Sequence, residues 1–263
     1  MEESGRAACV LAPNPGPMTL DGTNTWVLRE PGAARSVVVD PGPLHQGHLD
    51  AVAEAAGRVA VVLLTHRHGD HSDGARAFAA SMGCVVRAAD PAYVQGGQPL
   101  RDGDVVEVDG LELHVVATPG HTSDSVSFVL PAERAVLSGD TILGHGTTVV
   151  AHPDGALGPY LASLRRLRGL AERSEITAIW PGHGPVLDAA LPVIDHYLTH
   201  RDARLAQVRA ALAGGADSAR AVVEVVYVDV DPSLWPAAEL SVRAQIAYIT
   251  AASADDHAQD KQA

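Results

Sequence analysis

Short runs of apolar and β-branched residues recur along the chain up to about residue 180, and turn residues separate them. Such runs are typical of buried and half-buried strands. They predict strands close to 25–28, 36–40, 59–64, 84–87, 111–117, 126–130, 135–137 and 178–180. The alternating run 105–108, followed by Asp109 and Gly110, predicts an antiparallel hairpin with the strand that begins at Leu111.

Apolar residues at helical spacing lie between these runs and dominate the chain after Pro185. They predict helices at 47–56, 74–82, 159–171, 189–213, 219–226 and 239–252. Helices interspersed with strands indicate a mixed α/β (α+β) fold with helices flanking sheets. We interpret 1–188 as a hydrolase domain, 189–252 as a small helical module, and the polar, aperiodic segment 253–263 as a disordered tail.

The predicted strand 59–64 runs directly into Thr65-His66-Arg67-His68-Gly69-Asp70-His71. Three imidazoles and a carboxylate within six positions at a strand end suit a metal better than packing, because Zn²⁺ accepts both ligand types. Three further candidates, His121, Asp140 and His183, each follow a glycine near a predicted strand end. Taken singly, each of these three is an ordinary loop residue.

Together, the segments THRHGDH, PGHT, SGDT and PGHGP, in that order, resemble the motif series of the metallo-β-lactamase superfamily. The resemblance implies a four-layer αβ/βα sandwich with metals held at one edge by strand-end loops. It also implies that a hydroxide bridging two metals attacks the substrate, with Asp70 as the catalytic residue that orients water or shuttles its proton. The ligand set carried over in this way is His66, His68 and His121 for one zinc, Asp70, His71 and His183 for the second, and Asp140 for both.

A narrower resemblance, to the lactamase-β-like endoribonucleases, is carried by Asn14-Pro15-Gly16-Pro17-Met18-Thr19-Leu20-Asp21-Gly22-Thr23-Asn24-Thr25, by 144–149 and by 197–201. That family has a small winged-helix-like C-terminal module, which matches the predicted helices after 189. The resemblance makes Asn24 and His145 candidate substrate-binding residues.

Charge and composition narrow the choice of partners. The formal net charge of −13 disfavours strong non-specific binding to nucleic acid or to an anionic membrane. No apolar stretch of membrane-spanning length is present, and Cys9 and Cys84 do not form a metal or redox motif. We therefore expect a cytoplasmic protein with no membrane partner; its oligomeric state stays open.

Three functions remain open at this point. The first is hydrolysis of a phosphodiester in single-stranded RNA, and the second is hydrolysis of a small-molecule ester or thioester of the hydroxyacylglutathione hydrolase (glyoxalase II) type. The third, a non-catalytic metal-binding protein, is disfavoured because no ligand of the set is missing. Two Zn²⁺ ions are the expected cofactors, although Mn²⁺ and iron suit the same ligand types.

Overall fold

Two sheets form the centre of the protein, and the computed structural model describes residues 2–260. The first sheet has six strands in chain order. They are β1 (Glu2–Ser4), β2 (Ala7–Leu11), β3 (Asn24–Leu28), β4 (Arg35–Val39), β5 (Arg58–Leu63) and β6 (Val85–Arg87). Neighbours are antiparallel from β1 to β4 and parallel from β4 to β6.

The second sheet has five strands in the order β11-β10-β9-β8-β7. They are β7 (Val105–Val108), β8 (Leu111–Ala117), β9 (Val126–Leu130), β10 (Ala135–Gly139) and β11 (Ala178–Pro181). All neighbours are antiparallel except β10 and β11. The predicted hairpin is confirmed, and Asp109 and Gly110 turn it with φ of 50° and 92°.

Helices cover the outer faces of both sheets and form the C-terminal part of the chain. They are α1 (Gln46–Ala56), α2 (Gly69–Ser72), α3 (Ala75–Met82), α4 (Leu157–Glu172), α5 (Ala190–Ala213), α6 (Ala219–Val226) and α7 (Trp235–Asp260). Short 3₁₀ turns lie at Pro91–Tyr93, Pro131–Glu133 and Pro232–Leu234.

Alternation along the strands divides the apolar side chains into three layers of core. In β4, Val37 and Val39 point into the core between the two sheets, whereas Val38 packs with α1 and α3 on the outer face of the first sheet. On the outer face of the second sheet, a third cluster joins Val136 to Leu164 of α4 and other helical residues. The predicted four-layer αβ/βα sandwich is therefore confirmed.

The C-terminal module has a small core of its own. Val208 near the end of α5 packs with Val222 and Val223 of α6 and with Val242 of α7, and all four are fully buried. Because α5 also supplies Ile194 and Tyr197 to the core of the second sheet, this one helix belongs to both cores. The division at residue 188 stays a prediction.

Two sequence-based expectations differ from the structure at the chain ends. Strands β1 and β2 were not predicted, because Glu2–Ser4 is short and polar and the apolar run Ala7–Leu11 begins with two alanines, which are depleted in strands. The last helix was predicted over 239–252 with a tail after it, yet α7 spans Trp235–Asp260. No glycine or proline interrupts 253–260, so the backbone can continue as helix there. The rest of the predicted tail, 261–263, lies outside the described residues.

Within residues 2–260, none of the helices combines the length and the apolar character needed to cross a membrane.

Packing between the sheets predicts a large stability effect at one position. Phe128 in β9 is fully buried in the core between the sheets. We expect Phe128→Ala to lower the free energy of unfolding by about 3–5 kcal/mol, because it removes buried apolar surface and leaves a cavity. Urea denaturation followed by circular dichroism measures this change. Val105→Ala on β7, where the side chain is 52% exposed, should change it by less than about 0.5 kcal/mol; equal losses for the two variants would contradict the assigned core.

Candidate metal centre

The predicted ligands meet at one edge of the sandwich, where strands of both sheets end. His66 and His68 follow β5, and the short helix α2 then carries Asp70 and His71. From the second sheet, His121 follows β8, Asp140 follows β10 and His183 follows β11. Backbone bonding joins the two sheets here, since the N–H of Val126 donates to the carbonyl of Thr65 at 2.8 Å.

One group of ligand atoms consists of three imidazole nitrogens. His68 Nδ1 lies 3.1 Å from His66 Nε2 and 2.9 Å from His121 Nε2. The His66 and His121 rings are buried, whereas His68 is exposed. Their ligand atoms all lie within 4.8 Å of one another, which is a geometry that could hold a metal ion.

A second group lies beside the first and includes a carboxylate. His183 Nε2 is 3.2 Å from His71 Nε2 and 3.1 Å from Asp70 Oδ2. Both rings are fully buried, while the Asp70 side chain is 27% exposed. The group therefore has two inner imidazoles and one carboxylate that faces the opening.

Asp140 lies between the two groups. Its carboxylate oxygens are 3.6 Å from His121 Nε2 in the first group, and 3.4 Å and 3.5 Å from His71 Nε2 and His183 Nε2 in the second. Asp140 Oδ1 is buried and has no hydrogen-bond partner. A buried carboxylate oxygen without a donor is costly unless a cation occupies the space beside it.

The outer ring nitrogens reveal which nitrogen of each ring faces the centre as an acceptor. His121 Nδ1 is 2.8 Å from the carbonyl oxygen of Val149, and His183 Nδ1 is 3.0 Å from that of Gly22. A carbonyl oxygen can only accept, so Nδ1 carries the hydrogen in both rings. In the neutral rings, Nε2 therefore presents a lone pair to the centre, as a metal ligand must.

Asp40 orients the two remaining buried rings, those of His71 and His66. Its Oδ2 lies 2.9 Å from His71 Nδ1 and accepts a hydrogen bond of 2.6 Å from Thr65 Oγ1. Because this hydroxyl donates to Asp40, its oxygen accepts from His66 Nδ1, 3.0 Å away. One carboxylate therefore fixes the ring orientation of His71 directly and of His66 through Thr65, one ring in each group.

The electrostatics of the centre favour a cation. Burial lowers the pKa of His71 and His183, but nearby carboxylates outweigh it: Asp140 and Asp40 raise the pKa of His71 well above its usual range, and Asp140 and Asp70 raise that of His183 to about 9. Burial of Asp140 is likewise outweighed by the two rings, which hold its pKa well below the usual range. A proton or a metal ion can satisfy the resulting negative potential.

These observations show that the residues present fit a pair of divalent cations. Five imidazoles and two carboxylates converge on one space. The outer nitrogens of His66, His71, His121 and His183 each have an acceptor. A buried oxygen of Asp140 lacks a donor. Nitrogen and carboxylate ligands suit zinc, and manganese and iron accept the same set.

Comparison with known proteins agrees with this geometry. The family model described as the metallo-beta-lactamase superfamily matches residues 18–183. The chain belongs to this superfamily. A second model, the beta-lactamase associated winged helix domain, matches residues 218–246, within the C-terminal module. Members of the superfamily are metal-dependent hydrolases.

Curated relatives carry two kinds of name. A Caenorhabditis elegans "Beta-lactamase-like protein 2 homolog" is 37% identical over 73% of this chain and 66% of its own length. An "Atrochrysone carboxyl ACP thioesterase" of Aspergillus fumigatus is 36% identical over 80% of this chain and 65% of its own length. The chain thus spans about two thirds of the length of these relatives.

A solved structure supports the fold as well. A metallo-beta-lactamase family protein from Thermus thermophilus superposes with a TM-score of 0.79 and covers 94% of both chains at 22% identity. At this identity the match shows only that the two chains share a fold over most of their length, the C-terminal module included.

Two glycines of the superfamily motifs are required by close approach. A Cβ on Gly182 would lie 2.6 Å from Asp140 Oδ1 and 2.7 Å from His71 Cε1, inside the centre itself. At Gly120, φ is +140° and a Cβ would lie 2.3 Å from the Cα of Tyr160. Glycine beside a ligand therefore allows the backbone to approach the metal centre and helix α4.

Helices α4 and α5 fix the loop that follows Asp140. Tyr160 Oη donates to the carbonyl of Thr141 at 2.7 Å, and the N–H of Leu143 donates to Tyr197 Oη at 2.9 Å. Arg201 Nη2 donates to the carbonyl of Thr148. The next residue, Val149, has the carbonyl that accepts from His121. The segment 197–201, which carried part of the resemblance in the sequence, therefore positions a loop of the metal centre.

The two predicted substrate residues occupy different places. His145 is exposed and lines a cavity of about 180 Å³ together with His121, Asp140 and Met18. Asn24 does not line this cavity; it is buried, and its Nδ2 donates to the carbonyls of Pro181 and Gly184 at 3.0 and 2.8 Å. Its side chain thus holds the loop that carries His183, a contact that differs from the predicted one with substrate.

Sequence reasoning missed Asp40 and Thr65. Asp40 is the last residue of the predicted strand 36–40 and precedes Pro41 and Gly42, so it lies at a strand end, as the predicted ligands do. That shared position was the available signal. Its partner His71 is 31 residues away in sequence, and only the parallel pairing of β4 with β5 brings them together.

The role of Asp40 gives a test that leaves every proposed ligand in place. We expect Asp40→Asn to weaken metal binding by about 10- to 100-fold, because an amide nitrogen at the Oδ2 position cannot accept from His71 Nδ1 or Thr65 Oγ1. The backbone can be kept, since asparagine tolerates the φ of 51° found at this position. Competition with a chromophoric chelator measures the affinity. Asp50→Asn on the exposed face of α1 is the matched control, and an unchanged affinity in Asp40→Asn would refute the assigned role.

Proposed function

We propose that this chain is a binuclear metal-dependent hydrolase of acyl thioesters. The convergence of two ligand groups around Asp140 supports a hydrolase with two metals. The substrate class rests on relatives: two proteins named as ACP thioesterases are 36% and 33% identical to this chain, each over 80% of it.

In this proposal His66, His68 and His121 hold one cation, Asp70, His71 and His183 hold the second, and Asp140 contacts both. Zinc is the metal we favour. When bound, the metal pair supplies Lewis acidity that polarises a carbonyl group and lowers the pKa of water towards about 7.

Asp70 is the carboxylate we propose as the catalytic base. Burial raises its pKa, but the hydrogen bond with His183 and the nearby His71 outweigh burial, so the pKa lies below the usual range and the group is ionised at neutral pH. It is also the most exposed of the proposed carboxylate ligands, with 27% of its side chain accessible against 10% for Asp140. Asp70 can therefore take a proton from the attacking water and return it to the departing thiolate.

The cavity beside the centre suits the acyl group and its carbonyl. Its apolar walls include Met18, Leu20 and Leu143, and His145 stands at the exposed rim. Apolar walls exclude water from the polarised carbonyl, which strengthens the electrostatic interactions there. We propose that His145 contacts the part of the substrate next to the thioester.

Hydrolysis of single-stranded RNA is the second candidate. It is favoured by the resemblance of the segments 14–25, 144–149 and 197–201 to the lactamase-β-like endoribonucleases. The net charge of −13 argues against it, because a polyanion would be repelled over most of the surface. A glutathione thioester is one member of the substrate class that we propose.

The cytoplasmic location of the protein stays a prediction.

An activity panel with zinc-loaded protein tests the proposal. We expect turnover of a butyryl thioester that exceeds turnover of bis-p-nitrophenyl phosphate and of single-stranded RNA. Asp70→Asn should lower kcat by about 10²- to 10⁴-fold, because the base is lost. Metal content is measured on the same samples to separate loss of the base from loss of metal.

Asp73→Asn is the matched control, because Asp73 is exposed and lies close to Asp70 in sequence. It should keep the activity of the unchanged chain. Hydrolysis of RNA without hydrolysis of thioesters would replace the proposal by the second candidate. A protein that binds two metals and hydrolyses none of the three substrates would favour the non-catalytic function.

A further inference from the structure

A second cavity adjoins the one at the metal centre. Its volume is about 440 Å³, and it lies between the loop after Asp140 and the helices of the C-terminal module. The two cavities share Pro17, Met18 and the four residues 146–149 as lining. Ligand sites of small molecules usually measure about 300–1,000 Å³, so the second cavity can hold a part of the substrate that the first, at about 180 Å³, cannot.

The lining of the second cavity is basic. His200, Arg201 and Arg204 of α5 face it, and no aspartate or glutamate is among its lining residues. Within the described part of the chain, neither arginine forms an ion pair with a carboxylate. Two arginines without a carboxylate partner are unusual in a chain of net charge −13. We call this cavity the arginine cavity.

Two polar atoms in this lining are buried and unsatisfied. Arg201 is 5% exposed, and its Nε has no hydrogen-bond partner. His200 Nδ1 is also buried without a partner. Because buried polar groups are normally hydrogen-bonded, these two atoms mark this wall of the cavity as short of hydrogen-bond partners.

Arg204 retains donors for such a ligand. Its Nη1 donates to the carbonyl of Val226 at 2.9 Å, and its guanidinium lies 4.3 Å from the centre of the Tyr227 ring. These two contacts fix the plane of the guanidinium and use one of its five N–H donors, so the others stay available. A planar, oriented guanidinium is well suited to bind phosphate oxygens.

We propose that the arginine cavity binds the phosphate of a phosphopantetheine arm whose thioester lies at the metal centre. This inference rests on the proposed function. A phosphopantetheine thioester has its scissile carbonyl at one end and its phosphate at the other, and the two adjoining cavities offer an electrophilic centre and an arginine pair in the same order. Coenzyme A and an acyl carrier protein are two sources of this arm, and both carry the phosphate.

A test compares butyryl thioesters that differ only in the thiol part: N-acetylcysteamine, pantetheine, 4′-phosphopantetheine, coenzyme A and a carrier protein. We expect kcat/KM for the phosphopantetheine thioester to exceed that for the pantetheine thioester by about 10- to 100-fold, the effect of one or two charge-assisted hydrogen bonds. Coenzyme A and the carrier protein should keep this advantage, and whichever of them is hydrolysed faster identifies the source.

Arg204→Gln isolates the phosphate contact. The ratio between the two thioesters should fall below about threefold, because kcat/KM for the phosphopantetheine thioester falls more than kcat/KM for the pantetheine thioester. Arg209→Gln is the control, because Arg209 is exposed on the same helix and does not line the cavity. We avoid Arg201 because it also holds the loop of the metal centre through Thr148.

A second readout is calorimetric titration of the zinc-loaded protein. The ligands are S-methyl phosphopantetheine and S-methyl pantetheine, which cannot be hydrolysed. Only the first should bind measurably, and Arg204→Gln should remove the difference. Equal rates with and without the phosphate, or a ratio that survives Arg204→Gln, would overturn the inference and leave thioester hydrolysis standing. Absence of all thioester hydrolysis, with cleavage of RNA, would overturn the proposed function itself.

Discussion

The metal centre depends on one electrostatic constraint: carboxylates and imidazole nitrogens converge at one edge of the sandwich, and most of them are buried. Asp140 is the clearest case, because it lies within 3.6 Å of three inner ring nitrogens while one of its oxygens has no hydrogen-bond partner. Such an arrangement is stable only with positive charge in its middle. The contacts around the ligands hold them in a fixed geometry, which suits a metal ion as the source of that charge.

Two of these contacts operate from opposite sides of the sandwich. From the first sheet, Asp40 holds His71 and, through Thr65, also His66. From the second sheet and its helices, the loop after Asp140 supplies the Val149 carbonyl to His121. Each of the two ligand groups therefore depends on residues of both sheets, and a displacement of one sheet relative to the other would disturb both groups at once.

Local signals in the sequence predicted the strands and the cluster His66 to His71. A glycine before His121, Asp140 and His183 marked them only as candidates at strand ends, and the resemblance of the motif series to the metallo-β-lactamase superfamily joined them to the cluster as one ligand set. What the sequence could not provide was contact between distant segments. Asp40 depends on the pairing of β4 with β5, and Asn24 serves the loop of His183 through bonds across 157 and 160 residues.

Helix α5 limits which parts of this protein recombination could exchange. Its N-terminal half packs on the second sheet, its C-terminal end joins the core of the module, and Tyr197 and Arg201 in between hold the loop that orients His121. A recombination event that exchanged everything after residue 188 would therefore remove part of the support of a metal ligand. The catalytic half and the C-terminal half are expected to be transmitted as one unit, since neither could be replaced without compensating changes in the other.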